Sequence, residues 1–209
     1  MLNGLINVVE AVFFTTIPVT QLASSVAILA FGQAALAVLL TLLFPPQQTG
    51  PGLLTRLSET LAQWRGVSWT WRFGLAALSY VPIYFTFGMI VAPFVLPYYN
   101  NPDLGLNLAV AGLGVILPLE IGRGLLYALT VFPLIAVLRG GVWSRAFWIG
   151  LTIAVLGSWV PMLQASGWPL VLRIAHGLEI TADAFVQGFD LTWLLATREP
   201  ADLATENLR

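Results

Sequence analysis

Five stretches of this chain, at about 22–44, 72–96, 108–138, 147–166 and 170–196, are apolar over roughly the ~20 residues a helix needs to cross a bilayer. No other feature restricts the fold as strongly. In hydrocarbon every backbone N–H and C=O must find its partner inside the protein, so long continuous apolar runs of this kind become helices. The sequence predicts an all-α fold, a polytopic transmembrane helix bundle of five spans forming a single integral membrane domain over residues 1–209. Composition agrees: 58% of residues are hydrophobic and 9% charged, against about 25% charged in soluble domains.

Two regions are less regular. Residues 5–17 are apolar but short, contain Glu10 and stop at Pro18. They predict a partial N-terminal helix: a half-span, a re-entrant piece or an interfacial helix. With no Lys or Arg in front, the segment does not read as a signal peptide. The 108–138 span is long, and Pro118 is expected to interrupt it.

The loops predict orientation. Arg56, Arg65 and Arg72 flank the first long loop, Arg139 and Arg145 bound the next loop but one, and Arg198 and Arg209 sit in the tail. The alternate connections, 97–107 and 167–169, carry no basic residue. By the positive-inside rule the arginine-bearing loops and the C-terminus face the cytoplasm, as in a prokaryotic inner-membrane protein. Trp64, Trp69, Trp71, Trp143, Trp148 and Trp193 then line the inner interface, and Tyr98, Tyr99 and Trp168 the outer one. Beyond the breakers Pro45-Pro46 and Gly50-Pro51-Gly52, Leu53, Leu57, Leu61 and Trp64 recur at helical spacing, mostly opposite Arg56, Glu59, Gln63 and Arg65. This predicts a helix at about 53–65 lying on the inner membrane surface, or docking a membrane protein partner. Asn100-Asn101-Pro102-Asp103 reads as an outer turn.

Several function classes fall away. The chain has no cysteine, which removes disulfides, thiol nucleophiles, iron–sulfur clusters and Cys-type zinc sites. All nine basic residues are arginine, so no lysine can form a Schiff base. One histidine cannot give a bis-His haem, and a net charge of −1 points to no nucleic-acid partner. No cofactor and no metal are expected.

The polar residues of the last span hold the functional interest. Arg173, His176, Glu179, Asp183, Gln187 and Asp190 recur every three or four residues. They fill an arc of roughly 120° along about 25 Å of helix. Ionisable groups inside a membrane are by default a functional hypothesis. Glu120 and Arg123, three apart just after Pro118, can pair within their own helix. Both spans run the same way, and counting from their starts places the two sets at similar depth. Arg123 is therefore expected to be able to meet Glu179 or Asp183, and Glu120 to meet His176 or Arg173. Near the N-terminus Asn3, Asn7 and Glu10 form a smaller stripe.

The acids Glu10, Glu120, Glu179, Asp183 and Asp190 outnumber Arg123 and Arg173. A surplus carboxylate would hold a proton or bind a cation, which is the machinery of coupled transport. The alternative is that the network holds helices together. His176 alone gives a metal only one nitrogen donor. Ser158 and His176 lie at equal distances from the turn near Gly167, which would allow a Ser–His dyad, without any Gly-x-Ser-x-Gly context.

Leu119-Glu120-Ile121-Gly122-Arg123-Gly124-Leu125, together with the stretch from Trp168 to His176, is similar to pieces of the CAAX-protease-like (Abi) membrane family. The resemblance covers about a tenth of the chain. That family has a Glu-Glu-x-x-x-Arg span and later histidine-bearing spans. Here Leu119 replaces the first Glu, the Glu–Arg spacing is one residue shorter and there is a single histidine, so the metal-dependent chemistry does not carry over.

The expected function is a small transporter or solute-binding membrane subunit linked to a proton or cation. Its partners would be the lipid bilayer and a small solute. The alternatives are a non-catalytic subunit or assembly factor that docks a membrane protein, and then an intramembrane hydrolase.

Overall fold

The structure, a computed structural model, describes residues 6, 12, 13, 19–43, 50–99, 101 and 111–196. Glu10, Asn3, Asn7, Pro102, Asp103, Arg198 and Arg209 lie outside the described residues. Of the N-terminal segment Ile6, Val12 and Phe13 are described: Ile6 is buried in the bundle core, and Val12 and Phe13 are exposed.

The described chain is helical. The helices are α1 (Val19–Leu43), α2 (Leu53–Ala62), α3 (Gly66–Tyr99) and α4 (Leu113–Val137). They are followed by α5 (Val142–Ala154), a π-helical turn (Val155–Trp159), α6 (Val160–Gln164) and α7 (Leu170–Leu195). Four pieces are long and apolar enough to cross a membrane: Val26–Leu43 within α1, α3, α4, and the rod Val142–Gln164. The protein is an all-α integral membrane bundle. α7 is equally long, but Arg173, Glu179, Asp183 and Asp190 make it too polar to qualify by composition.

The chain's breakers act where their chemistry requires. α2 starts after Gly52, held extended at its N-cap, and ends at Ala62, three residues before the expected limit. α3 starts six residues before its apolar run. Its first turns are anchored by Trp69, whose Nε1 donates to Leu61 O at 3.0 Å. α4 and α5 are joined through Gly140, whose φ of +107° favours glycine, and Gly141, the N-cap of α5.

One expectation fails. Pro118 does not interrupt α4, which runs unbroken from Leu113 to Val137 with both Pro118 and Pro133 inside it. Pro118 falls early in the helix, where its missing N–H costs one backbone bond and the helix continues past it. The real irregularity lies elsewhere, in the π turn of the fourth span.

Contacts between helices fix the topology. On α3 and α4, Trp69 and Phe73 meet Phe132 while Tyr80 meets Tyr127, so numbers rise on one helix as they fall on the other. On α3 and α7, Arg72 donates to Leu194 O and Ser79 to Asp190, again antiparallel. α7 and α5 follow the same pattern through Trp143 with Phe189 and Phe147 with Phe185. α4 and α7 are therefore parallel, as expected, with α7 packed between α3 and α5.

Glycines allow this closeness. A Cβ on Gly124 would lie 2.5 Å from Ala77 O on α3, and one on Gly188 would lie 2.6 Å from the backbone nitrogen of Gly150 on α5. Aromatic rings fill the end where Arg72 sits, its guanidinium carbon 3.9 Å from the Trp64 ring centre and 5.0 Å from that of Trp71.

Candidate functional site

Along α7 the polar stripe keeps its single helical face but divides into two environments. Near the C-terminal end, Asp190 turns to α3, where Ser79 Oγ donates to Oδ2 at 2.5 Å. Gln187 is buried one turn earlier, and its Nε2 has no hydrogen-bond partner among the described residues. Arg173, at the opposite end, is half-buried and off the cavity wall. Between them His176, Glu179 and Asp183 open onto a cavity of about 110 Å³.

Each wall of that cavity comes from a different element. α3 brings Tyr80 and Tyr84, one helical turn apart, and α4 brings Arg123 and Tyr127, spaced the same way. The π turn contributes Gly157, α6 contributes Pro161 and Met162, and Trp168 closes the link before α7. The volume corresponds to three or four waters at ~30 Å³ each. A larger concavity of about 450 Å³, on α1 between Phe31, Ala34, Ala35, Val38, Leu39 and Leu42, has only apolar side chains and belongs to an exposed helix face.

Ion pairing starts within helices. One terminal nitrogen of Arg123 lies 2.9 and 3.0 Å from the two carboxylate oxygens of Glu120, with Glu120 fully buried. The guanidinium also lies near two tyrosine rings, its carbon 5.5 Å from the centre of Tyr80 and 5.8 Å from that of Tyr84. His176 Nδ1 is 2.7 Å from Glu179 Oε2, also three residues apart. The expected pairing of Glu120 with Arg123 within α4 is thus present. The expected meeting of α4 with α7 takes the form of a shared cavity, in which Arg123 faces the same space as His176, Glu179 and Asp183. Glu179 also lies close to α3, since a Cβ on Gly88 would stand 3.5 Å from its Oε1.

Charge does not cancel around this space. The lining carries two carboxylates, Glu179 and Asp183, beside one guanidinium, Arg123, which is also shared with buried Glu120, so acids outnumber guanidinium groups three to one. An added proton or a bound cation restores balance.

The π turn shapes the remaining wall. Its extra residue per turn shifts the side chains that follow, and Pro161 has no N–H to give to the preceding turn. Ser158 lies level with Gly177, at the depth expected for it. Its hydroxyl, however, is fully buried and donates to Gly177 O at 2.9 Å. The Ser–His dyad does not form, because the hydroxyl proton is already held by a backbone carbonyl.

Sequence reading missed the aromatic half of the site. Tyr80, Tyr84 and Tyr127 sit in apolar spans and drew no notice, although Tyr80 and Tyr84 are four apart and Tyr127 follows Arg123 by four. Helical spacing from the charged residue was the signal that could have found Tyr127. Trp168, expected as an interface marker, lines the cavity. Comparison of the chain with protein-family models, with curated proteins and with solved structures finds no match.

Proposed function

We propose that the protein binds a small polar solute in the cavity between α3, α4 and α7 and moves it across the membrane together with a proton or cation. The observation that carries this reading is the cavity itself. It gathers Arg123, His176, Glu179 and Asp183 from two helices around a space large enough for a small solute, with acids in excess. In this scheme Asp183 and Glu179 exchange the proton, Arg123 held by Glu120 supplies the fixed countercharge, and His176 relays. α7 is the fifth span. The arginine-rich end and the C-terminus face the cytoplasm of a prokaryotic cell.

A second reading has its own support. Ser79 with Asp190, Arg72 with Leu194 O and Ser158 with Gly177 O are polar ties between helices, the use expected of a non-catalytic subunit whose network is structural. Purified protein in liposomes holding a pH-sensitive dye separates the two. The transport reading expects proton movement across the membrane that Asp183→Asn abolishes while the variant accumulates and elutes like the parent. A variant that fails to accumulate, from a parent that moves no protons, would decide for the structural role.

A further inference from the structure

The size, charge and lining of the cavity select among solutes. At about 110 Å³ it lies far below the ~300–1,000 Å³ of pockets for drug-sized ligands. Its occupant has only a few heavy atoms. An anion would add to the carboxylate excess, and a neutral solute would leave it to be answered by a proton. A cation answers it.

The uncharged lining narrows the class. A bare divalent ion takes six or more oxygen ligands. The described residues hold no group of three or more His, Asp and Glu placed to bind a metal. The wall instead presents rings from Tyr84, Tyr127 and Trp168 and the thioether of Met162. Aromatic faces attract ammonium groups and the polarised hydrogens of their alkyl carbons.

We infer that the cavity binds a small alkylammonium of the methylammonium class. The ammonium faces Asp183 and Glu179, and the alkyl part faces the rings of Tyr84 and Trp168. This assignment rests on the solute-binding reading of the same cavity.

Equilibrium binding of radiolabelled methylammonium to the purified protein in lipid nanodiscs tests it. Saturable binding is expected, displaced by ethylammonium and not by equal concentrations of acetate, ethanol or K⁺. Asp183→Asn should weaken it by roughly thirtyfold or more, the cost of removing one partner of a buried charge pair. Trp168→Leu should weaken it by about tenfold, and its ring is half-exposed, so this variant carries the test if Asp183→Asn does not fold. Equal displacement by K⁺ would overturn the alkylammonium assignment, as would binding unchanged in both variants. Saturable binding of labelled acetate or ethanol in place of methylammonium would overturn the cation and leave the solute site standing. No saturable binding of any of the three probes would overturn both.

Discussion

Glu120 and Arg123 show what a buried charge costs and what answers it. Both are almost fully enclosed in α4, and their contact at 2.9 Å keeps either from facing apolar surroundings alone. Removing one member strands the other, a loss of about 3–5 kcal/mol for buried pairs, whereas replacing both by apolar residues of similar size is often close to neutral. Arg123→Met should therefore lower the apparent melting temperature in detergent much more than the double change Glu120→Leu with Arg123→Met. A double variant as damaged as the single one would show that each residue is held mainly by other neighbours. This pair was legible in the sequence because a spacing of three on one helix needs no tertiary knowledge. The tyrosines around Arg123 were not legible, since their place depends on how α3 meets α4.

At the scale of elements, close helix approach makes two sharp predictions. Gly124→Ala and Gly188→Ala each place a methyl against backbone on the neighbouring helix and should cost about 1–3 kcal/mol in unfolding measurements. Gly122→Ala, in the same helix as Gly124 with nothing within 4 Å, should be near neutral. Equal effects at Gly122 and Gly124 would refute this packing. The π turn supports another. A π turn amounts to one residue inserted into an α-helix, so deleting the exposed Leu156 should leave α5 and α6 in their present facings and the protein folded. Gly157 lines the cavity, so the deletion should alter solute binding in a protein that still folds; failure to fold would mean the turn is needed for assembly. Hydropathy located the rod that contains this turn but not the turn, because the sequence there, Val155-Leu156-Gly157-Ser158-Trp159, is as apolar as any helix. Pro118 misled in the opposite sense, since proline marks a lost hydrogen bond and not always a break.

For the molecule as a whole, the all-α bundle and four helices able to cross a membrane were readable from apolar run length, because that follows from transfer into a bilayer and not from side-chain packing; arginine placement predicts their orientation. The cavity was readable only as a matching of depths between two helices, and its volume and third wall needed the fold. Orientation can be tested directly, because the chain contains no cysteine and a single introduced thiol is the only one present. Asn101→Cys, just past the end of α3, should react with a membrane-impermeant maleimide applied outside intact cells. Gly141→Cys, at the start of α5, should react only after the membrane is opened. The reverse pattern would invert the topology.

The anchoring of α7 has a mechanical consequence. Near its C-terminal end the helix is clamped by Arg72, Ser79 and the Gly150–Gly188 contact, while near the cavity it is tied by a serine carried on the π turn. Tied at both places, α7 can tilt about Gly188 only together with the π turn that holds Gly177. His176 lies twelve residues from Gly188, about 18 Å, so a tilt of roughly 5° would carry it about 1.6 Å. A small rotation at a tightly packed glycine is enough to change the gap between Arg123 and the carboxylates of α7.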